Sequence, residues 1–436
     1  MNKKKFGIIL PITLLAYFLI LMDNSIIFTS SIQIAKSLTL SSSELSWVSS
    51  AYTLSFGGFL LLSGRLSDIW GKKRVFLIGL SIFGITSLSI GFSQNASMII
   101  GMRVLQGIGS SIIAPTSLAL IMDTYKNDMR QKAISYYGAT AGIGSSIGLL
   151  VGGGLTSFIS WRAGFFINVP FTLILIFLTS KYVNNSSETR KDKIDYLGSL
   201  LSILGLIGTI YGFTEGKLLI IMSGIIILFL FIFREQRIKF PILPLILFKN
   251  KTRASAYIIR LLFMMTMLPF WFFIPQMLQS QYGFSALESG MAFLPLTIVN
   301  FIIALRLPQL TTKFGNTRIL FIGEVILAIG LILVACANIN SGYWYALFIP
   351  MMIIGLGQGL ILAPVTSAGV HEAPTELSGI ASSLTNVMHQ IGGPIGLSII
   401  VVSTSNFQMK IWIMVVFTLS ALIVVAFLII GDKSES

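Results

Sequence analysis

Two charged residues lie within long apolar stretches of the chain, and they are the first candidates for chemistry. Asp23 follows the apolar run that begins at Phe6, and Arg103 interrupts the uncharged stretch from Val75 to Met122. A carboxylate in such surroundings is costly unless it is paired, and it can exchange one bound cation for another, including a proton. A guanidinium at a similar depth could hold that carboxylate. The pair predicts a proton- or cation-binding site, with a purely structural ion pair as the alternative.

The elements that must position these residues are membrane-spanning helices. Of the 436 residues, 54% are hydrophobic and 11% are charged, whereas a soluble domain carries roughly 25% charged residues. The net charge of +14 does not indicate nucleic-acid binding, because Lys and Arg lie in short loops between apolar runs. The single cysteine, Cys336, excludes a disulfide framework and a cysteine-based metal site. We expect no cofactor and no metal.

Fourteen segments of the chain are long and apolar enough to cross a bilayer, for which a helix needs about 20 residues. The first continues too far to be a cleavable signal, so we interpret it as a span. The predicted spans are 7–28, 45–64, 75–93, 98–122, 133–156, 162–180, 196–214, 217–233, 255–278, 287–305, 319–336, 343–364, 377–400 and 410–430.

The distribution of positive charge predicts that both termini are cytoplasmic. With that orientation most of the 30 Lys and Arg residues fall in cytoplasmic loops and tails. Cytoplasmic loops of membrane proteins carry such an excess. The loops on the outer side hold only Lys36, Arg162, Lys217 and Lys410.

The two halves of the chain resemble each other. Two loops share one pattern. The first contains Arg65-Leu followed by Gly71-Lys-Lys-Arg74-Val-Phe-Leu-Ile-Gly79. The second contains Arg306-Leu followed by Gly315-Asn-Thr-Arg318-Ile-Leu-Phe-Ile-Gly323. Ile112-Ile-Ala-Pro115 in helix four is similar to Ile361-Leu-Ala-Pro364 in helix twelve. Parallel repeats of this kind are a transporter architecture. We predict an all-α integral membrane protein of two six-helix bundles related by pseudo-two-fold symmetry. The N-terminal bundle is 1–185, two additional central helices occupy 186–240, and the C-terminal bundle is 241–436.

Four motifs resemble those of a known family. The loop Gly64-Arg65-Leu-Ser-Asp68-Ile-Trp-Gly71-Lys-Lys-Arg74 resembles the signature of the major facilitator superfamily between helices two and three. The others resemble motifs of its fourteen-helix drug:proton antiporters: Leu21-Met-Asp23-Asn-Ser-Ile-Ile in helix one, Arg103-Val-Leu-Gln106-Gly107-Ile-Gly109 in helix four, and Gly144-Ser-Ser-Ile-Gly148-Leu-Leu-Val-Gly152-Gly153 in helix five. Trp161-Arg162, Asn168-Val-Pro170 and Asp195-Tyr-Leu-Gly198 are also similar to that group, and the resemblance extends from about Leu21 to Leu428.

The resemblance implies a proton-driven exporter of hydrophobic, often cationic, small molecules that works by alternating access. Asp23 would exchange proton for drug, with Arg103 modulating it. The loop around Asp68 would act as an inner gate, or would simply be a positive loop with one capping carboxylate. Leu149 stands where the family's helix-five motif has proline. A specific metabolite transporter of the same superfamily, working by uniport or symport, therefore remains the alternative.

The predicted boundaries also indicate the depth of four ionisable residues within their spans. Asp23 and Arg103 each lie five residues from an outer helix end, about 7.5 Å deep at about 1.5 Å per residue, so we expect them to meet. His389 lies near the middle of helix thirteen, where it could carry a proton near neutral pH or serve only as a packing or hydrogen-bonding residue. Glu324 lies near the cytoplasmic end of helix eleven, and we expect it to pair with a loop arginine.

Aromatic and amide side chains are candidates for lining a substrate cavity. Aromatic rings can hold a drug by stacking and cation–π contact, although each ring alone is more often in the core or facing lipid. Intramembrane amides are polar enough to face a cavity. The candidates are Trp47, Tyr52, Tyr137, Phe270, Trp271, Gln276, Asn300 and Asn386.

Other classes of function fit the sequence less well. A membrane-embedded enzyme would need a set of polar residues that two His, one Cys and few intramembrane acids do not supply. The chain contains no Gly-Lys-Ser/Thr phosphate loop for ATP, and no loop large enough for a sensor domain. We expect a monomeric, multi-pass protein of the cell membrane, most simply the bacterial cytoplasmic membrane. Its partners would be protons, a small-molecule substrate and lipid, with no nucleic acid.

Overall fold

The described part of the chain contains fourteen apolar helices, each long enough to cross a membrane, and this confirms the predicted number of spans. The computed structural model describes residues 6–184, 195–238, 241–374 and 377–432, with only the backbone described for Asp68, Asp128, Gln131, Ala141, Gly142 and 429–432. No β-strand occurs in these ranges. The helices are α1 Ile9–Leu38, α2 Ser42–Trp70, α3 Lys72–Gly91, α4 Ala96–Thr124, α5 Asn127–Phe158, α6 Ala163–Tyr182, α7 Tyr196–Thr214, α8 Leu218–Glu235, α9 Lys251–Gln281, α10 Ala286–Phe314, α11 Asn316–Cys336, α12 Trp344–Gly369, α13 Ser378–Ser403 and α14 Phe407–Asp432.

The ends of several helices follow from local sequence. The helix α2 begins at a capping box, in which the Glu44 amide donates to Ser41 Oγ at 3.2 Å and the Ser41 amide donates to Glu44 Oε2 at 2.8 Å. It ends at Gly71, whose φ is 86°, and α10 ends at Gly315, whose φ is 82°. Only glycine adopts such angles at low cost. The glycines that begin the two sequence repeats therefore make the same turn.

One compact unit comprises Met1–Ser199 with Ser285–Leu287. In it α1 packs against α4 and α5, α4 also packs against α2 and α3, and α6 packs against α3. The contact of α3 with α4 is close because glycines meet there. A Cβ at Gly109 would lie 3.1 Å from the carbonyl oxygen of Gly79.

The second compact unit comprises Leu200–Phe284 with Glu288–Ser436, and its helices pair in the same pattern. Here α9 packs against α12 and α13, α12 also packs against α10 and α11, and α14 packs against α11. A Cβ at Gly357 would lie 2.9 Å from the carbonyl oxygen of Gly323, which repeats the Gly79–Gly109 contact. The sequence repeat is thus a repeat of helix pairing and of close glycine contacts.

The first helix is longer than the sequence predicts. It continues through Thr29, Ser30 and Ser31 to Leu38, where the predicted span stops at residue 28. The polar residues stay helical because their hydroxyls find acceptors, as when Ser31 Oγ donates to the Phe28 carbonyl at 3.1 Å. Asp23 consequently lies near the middle of α1, and its predicted position five residues from an outer end is wrong.

Candidate functional site

The carboxylate of Asp23 is the centre of a buried polar network. Its side chain is fully enclosed, and three side chains donate to it. Arg103 Nη1 donates to Oδ2 at 2.7 Å, while Gln106 Nε2 and Asn168 Nδ2 donate to Oδ1 at 3.0 and 2.6 Å. Hydrogen bonds from a guanidinium and two amides offset the cost of removing the carboxylate from water. The expected meeting of Asp23 with Arg103 is therefore present.

Arg103 is held in place from several sides. Its Nε donates to the Val48 carbonyl at 3.0 Å, and its Nη1 also donates to Gln106 Oε1 at 2.6 Å. The guanidinium carbon lies 4.0 Å from the ring centre of Tyr52, whose hydroxyl donates to Ser110 Oγ at 2.8 Å. Within the described residues, Nη2 has no hydrogen-bond partner although it is buried. Contacts other than the one with Asp23 therefore also hold the guanidinium, and it retains one donor without a partner among the described residues.

Asn168 lies in the second turn of α6, where this helix packs against α1 and α3. The backbone stays helical there, since the Ile167 amide donates to the Ala163 carbonyl at 3.0 Å. The Asn168 amide lies 3.5 Å from Ser87 Oγ on α3, and Gln106 Nε2 donates to the same hydroxyl at 2.8 Å. The site thus combines side chains from α1, α2, α3, α4 and α6. The buried Oδ1 atoms of Asn168 and Asn24 accept no hydrogen bond from any described residue.

The charges of this network define what it can bind. Asp23 and Arg103 together carry no net charge, and both side chains are fully enclosed. A proton added to the carboxylate gives the site one positive charge, and a monovalent organic cation placed against the carboxylate does the same. Two positive charges in one low-dielectric site repel strongly. The geometry can therefore bind a proton or a cation, but it disfavours both at once.

The glycines of the helix-five motif pack directly against the helix that carries Asp23. Gly144, Gly148 and Gly152 are spaced four residues apart, so they form one face of α5. Built Cβ atoms there would lie 3.0 Å from Leu21 Cβ, 2.7 Å from the Met22 carbonyl oxygen and 2.7 Å from Ile26 Cα, respectively. Close helix contact of this type needs small residues. Gly153 lies outside this α1 contact.

The helix-four motif contributes both chemistry and packing. Gln106 joins Asp23, as described, while Gly107 packs against the backbone of α2 at Tyr52. Gly109 packs against α3, where a Cβ would lie 2.9 Å from the Phe83 amide nitrogen. These glycines hold α2 and α3 close to α4, and so they help to position Tyr52 and Ser87.

The motif Gly64–Arg74, which joins the end of α2 to the start of α3, contacts neighbouring helices. Lys72 forms an ion pair with Asp123 at the end of α4, and Lys73 Nζ donates to the Ser180 carbonyl in α6 at 2.8 Å. Gly64 has open space around it, and Arg74 is exposed. Arg65 is part of α2, as is the backbone of Asp68. The side chain of Asp68 lies outside the described residues, so its gating role stays a prediction. The sequence did not indicate Asp123.

His389 lies twelve residues into α13, close to the predicted depth, and Nδ1 is buried without a hydrogen-bond partner among the described residues. The proton-carrier role of His389 stays a prediction. No group of three or more His, Cys, Asp or Glu that could hold a metal occurs in the described part of the chain.

The cavity candidates lie in varied surroundings. Tyr137 stacks on Tyr17 with ring centres 4.0 Å apart, and its hydroxyl donates to the Ala114 carbonyl at 2.9 Å. Phe270 is fully buried, and Gln276 Nε2 donates to a carbonyl of its own helix at 2.9 Å. Tyr52 belongs to the Arg103 network. The remaining candidates are Trp47, Trp271 and Asn300, which are partly buried, and Asn386, which is exposed.

The expected ion pair of Glu324 is absent. The side chain is fully buried in α11, and neither carboxylate oxygen has a hydrogen-bond partner among the described residues. The prediction of a pair with a loop arginine is wrong because α11 begins at Asn316, which places Glu324 eight residues along the helix instead of near its end.

Comparison with known proteins places this architecture in a family. The family model of the Major Facilitator Superfamily matches residues 13–397. The chain belongs to the major facilitator superfamily. It is 32% identical over 391 residues to the Mycobacterium tuberculosis protein named "Uncharacterized MFS-type transporter EfpA", covering 87% of this chain and 73% of that protein. The resemblance stated from the motifs is confirmed.

Two further relatives have names that state an activity. The chain is 29% identical to the puromycin resistance protein pur8 of Streptomyces alboniger, over 90% of this chain and 80% of that protein. It is 30% identical to the cephamycin export protein CmcT of Amycolatopsis lactamdurans, over 90% and 83% of the two chains.

Solved structures of the superfamily share the fold. The POT family transporter PepTSo aligns over 99% of both chains with a TM-score of 0.74 at 14% identity, and the xylose transporter XylE aligns over 95% of both with a TM-score of 0.67 at 15% identity. At such identities the likeness concerns the fold alone. With its fourteen spans and its family, this chain is a transporter and a multi-pass protein of the cell membrane, as predicted.

Proposed function

We propose that this chain is a proton-coupled exporter of hydrophobic, cationic small molecules, and that Asp23 exchanges a proton for the substrate. The observation that carries the proposal is the enclosed carboxylate of Asp23 with its three side-chain donors. The named activities of relatives such as pur8 and CmcT, which concern resistance and export, support the same direction of transport.

The mechanism follows from charge balance at the site. With Asp23 ionised, the carboxylate is an acceptor that an organic cation can approach, and the free Nη2 of Arg103 and free Oδ1 of Asn168 can adjust to it. A proton arriving from the outside neutralises the carboxylate and removes its attraction for the cation. Proton loss to the cytoplasm restores the acceptor. Alternating access of the superfamily fold would make the two events occur on opposite sides.

Arg103 prevents the two cations from binding together. Its guanidinium is also held by Val48, Gln106 and the Tyr52 ring, in contacts that do not involve Asp23. The site therefore changes between neutral and one positive charge during the cycle. That restriction is what couples the release of one cation to the binding of the other.

The test is transport in liposomes with an acidic lumen, in protein of controlled orientation, with a panel of lipophilic cationic dyes. Proton efflux from the lumen on dye addition is compared for the wild type, Asp23→Asn and the control Glu215→Gln, which removes a carboxylate at an exposed position in the loop between α7 and α8. Dye-dependent efflux that is retained in Glu215→Gln and lost in Asp23→Asn supports the proposal.

Equal efflux in Asp23→Asn and wild type would contradict the role of Asp23 and would direct attention to His389. No efflux with any dye, in folded wild-type protein, would contradict drug:proton antiport. It would favour the alternative drawn from Leu149, a specific metabolite transporter.

A further inference from the structure

A second carboxyl group is enclosed in the C-terminal part of the fold, away from every motif of the family. Glu324 lies eight residues after α11 begins at Asn316, about 12 Å along the helix at about 1.5 Å per residue. Its side chain is fully buried, and both oxygens lack a hydrogen-bond partner among the described residues. Asp23, by contrast, has three donors. Hydrogen bonds therefore offset the cost of burying the Asp23 carboxyl, whereas Glu324 has no such compensation among the described residues.

The surroundings of Glu324 are apolar. The residues that share its face of α11 at helical spacing are apolar: Leu320, Leu327, Ala328 and Leu331 are buried, and Phe321 is partly buried. The helix α12, which packs against α11, contains no charged or titratable residue between Trp344 and Gly369 other than Tyr345. Gln358 in α12 is buried and its Oε1 accepts no hydrogen bond from a described residue.

Charged groups do occur on the other helices packed against α11 and on α11 itself, but no described side chain among them bonds to Glu324. These groups are Arg318 on α11, Glu288, Arg306 and Lys313 on α10, and Lys410 and Asp432 on α14. Lys410 lies 4.1 Å from the ring centre of Phe273, and the side chain of Asp432 is outside the described part of the chain. An ionised carboxylate without a cation or donors is costly in such a place. A bound proton removes that cost.

The N-terminal repeat shows that packing does not require a carboxyl at this position. Gly79 and Gly323 are equivalent in the sequence repeat, and each lies against a glycine of the next helix, Gly109 or Gly357. The residue after Gly79 is Leu80, which is 1% exposed, whereas the residue after Gly323 is Glu324. A leucine thus fills the same place in one repeat. A polar group kept where an apolar one would pack is a sign of function.

The helix contact beside Glu324 is tightly packed. A Cβ at Gly357 would lie 2.7 Å from the Leu327 amide nitrogen and 2.9 Å from the Gly323 carbonyl oxygen, so α11 and α12 meet partly through backbone atoms. The side chains of Leu360 and Ile361 lie against Gly323, where a Cβ would be 2.9 Å from each. Close contact of this kind needs small residues. Water therefore reaches the Glu324 carboxyl only in a conformation in which this packing has changed.

We propose that Glu324 is a second proton-carrying carboxyl, which takes up and releases one proton in each transport cycle. The inference rests on the proposed proton-coupled function and adds to it a second proton, located in the other bundle. The carboxyl is protonated in the conformation described, where no cation faces it. It releases the proton in a conformation in which water or a cation reaches it.

The first measurement detects whether the Glu324 carboxyl is protonated, and it does not depend on transport. Dicyclohexylcarbodiimide is apolar and modifies carboxyls that are protonated in apolar sites. We expect it to label Glu324 in wild-type protein in lipid nanodiscs at neutral pH, with labelling that falls as the pH becomes alkaline, as quantified by peptide mass spectrometry. Equally strong labelling is expected in Asp23→Asn. Absence of labelling at neutral pH, with the reagent shown to react with protonated carboxyls of a reference membrane protein, would overturn the proposal.

The second measurement counts protons. The substrate gradient that just balances a known pH gradient gives the number of protons per substrate, and it is compared for wild type, Glu324→Leu and the exposed control Glu215→Gln. Glu324→Leu copies the residue found at Leu80, so the helix contact is preserved, and Glu324→Gln is the isosteric second variant. We expect one proton fewer per substrate in both Glu324 variants and no change in the control. An unchanged ratio in both would overturn the inference.

Two remaining outcomes are also decisive. Loss of proton-driven transport with retained substrate–substrate exchange in Glu324→Leu or Glu324→Gln supports a proton carrier, because exchange needs no net proton movement. Loss of both activities in both variants would overturn the inference, since it indicates a structural role. Failure of the proposed function itself is seen separately, as absence of proton coupling in the wild type.

Discussion

Gly148 in α5 lies directly against the backbone of Met22 in α1, the residue that precedes Asp23. A Cβ at Gly148 would lie 2.7 Å from the Met22 carbonyl oxygen and 2.9 Å from its Cα. Such distances are too short for a side chain, so the two helices meet through their backbones. The position of the Asp23 carboxylate therefore depends on a glycine in a different motif.

Gly148→Ala tests this dependence. The added methyl group must displace α1 relative to α5, and overpacking of this kind costs about 1–3 kcal/mol. We expect a lowered thermal unfolding temperature and a marked loss of proton-coupled dye transport. Gly138→Ala, on the same helix but with open space around the position, is the matched control and should change neither. Equal behaviour of the two variants would contradict the packing role.

Substitution of Arg103 is expected to lower stability, even when another cation replaces it. Arg103→Met leaves the Asp23 carboxylate buried without its cation, at a cost of about 3–5 kcal/mol. Arg103→Lys keeps the charge but loses the planar group that donates to Val48 and stacks on Tyr52, so it should be intermediate. Thermal unfolding in detergent measures both. Arg318→Lys, at an exposed arginine of α11, is the control, and a comparable loss there would argue against a special role for Arg103.

Asn168→Ala should weaken the site by removing one donor from Asp23. Hydrogen bonds to charged groups contribute about 1.5–3 kcal/mol, which predicts a measurable fall in stability and slower proton-coupled transport. Asn24→Ala is the comparison, because it removes an amide side chain next to Asp23 in the chain. Among the described residues, Asn24 makes no hydrogen bond to the Asp23 carboxylate. If Asn24→Ala impaired transport as strongly as Asn168→Ala did, the assigned contact would not explain the effect.

Gly71→Ala tests the turn between α2 and α3. At a φ of 86° an alanine is strained, and such backbone strain costs about 1–3 kcal/mol. Gly315→Ala at the equivalent turn of the second repeat should behave alike, since its φ is 82°. Gly64→Ala, within the same motif, lies in a helix with open space around it and should be tolerated. Unfolding temperatures of the three variants decide the point.

The sequence predicted those features that depend on local composition or on repeated patterns. The fourteen spans follow from long apolar runs, and the equivalence of Gly71 with Gly315 follows from matched spacing in the two halves. The meeting of Asp23 with Arg103 could be predicted because ionisable groups inside spans need partners. The first two predictions depend on local composition or on a pattern that occurs twice, and the third depends on the cost of an unpaired charge inside a span.

Features that depend on packing between distant helices were missed or wrong. The end of α1 was placed too early because Thr29, Ser30 and Ser31 look like a polar loop, whereas in the fold they are buried and their hydroxyls are paired. The role of Asn168 was not predicted, since its contact with Asp23 spans 145 positions of the chain. Its place in an Asn-Val-Pro motif was the available signal.

Glu324 was assigned a partner that the fold does not provide. Sequence alone placed it near a helix end, where a loop arginine could reach it, because the start of α11 was predicted three residues too late. A carboxyl that follows Gly323 where Leu80 follows Gly79 was a signal in the repeat itself. Comparing the two halves residue by residue would have identified it.

The most direct test of the central claim is proton release on substrate binding. Purified protein is equilibrated with a pH-sensitive dye in a weakly buffered solution that is acidic enough for Asp23 to hold a proton before substrate arrives. A cationic substrate is then added, and released protons are counted for wild type and Asp23→Asn. If Asp23 exchanges a proton for substrate, the wild type should release protons on binding, and Asp23→Asn should release about one fewer for each substrate bound. Equal release from the two proteins, with substrate binding retained in both, would contradict the account.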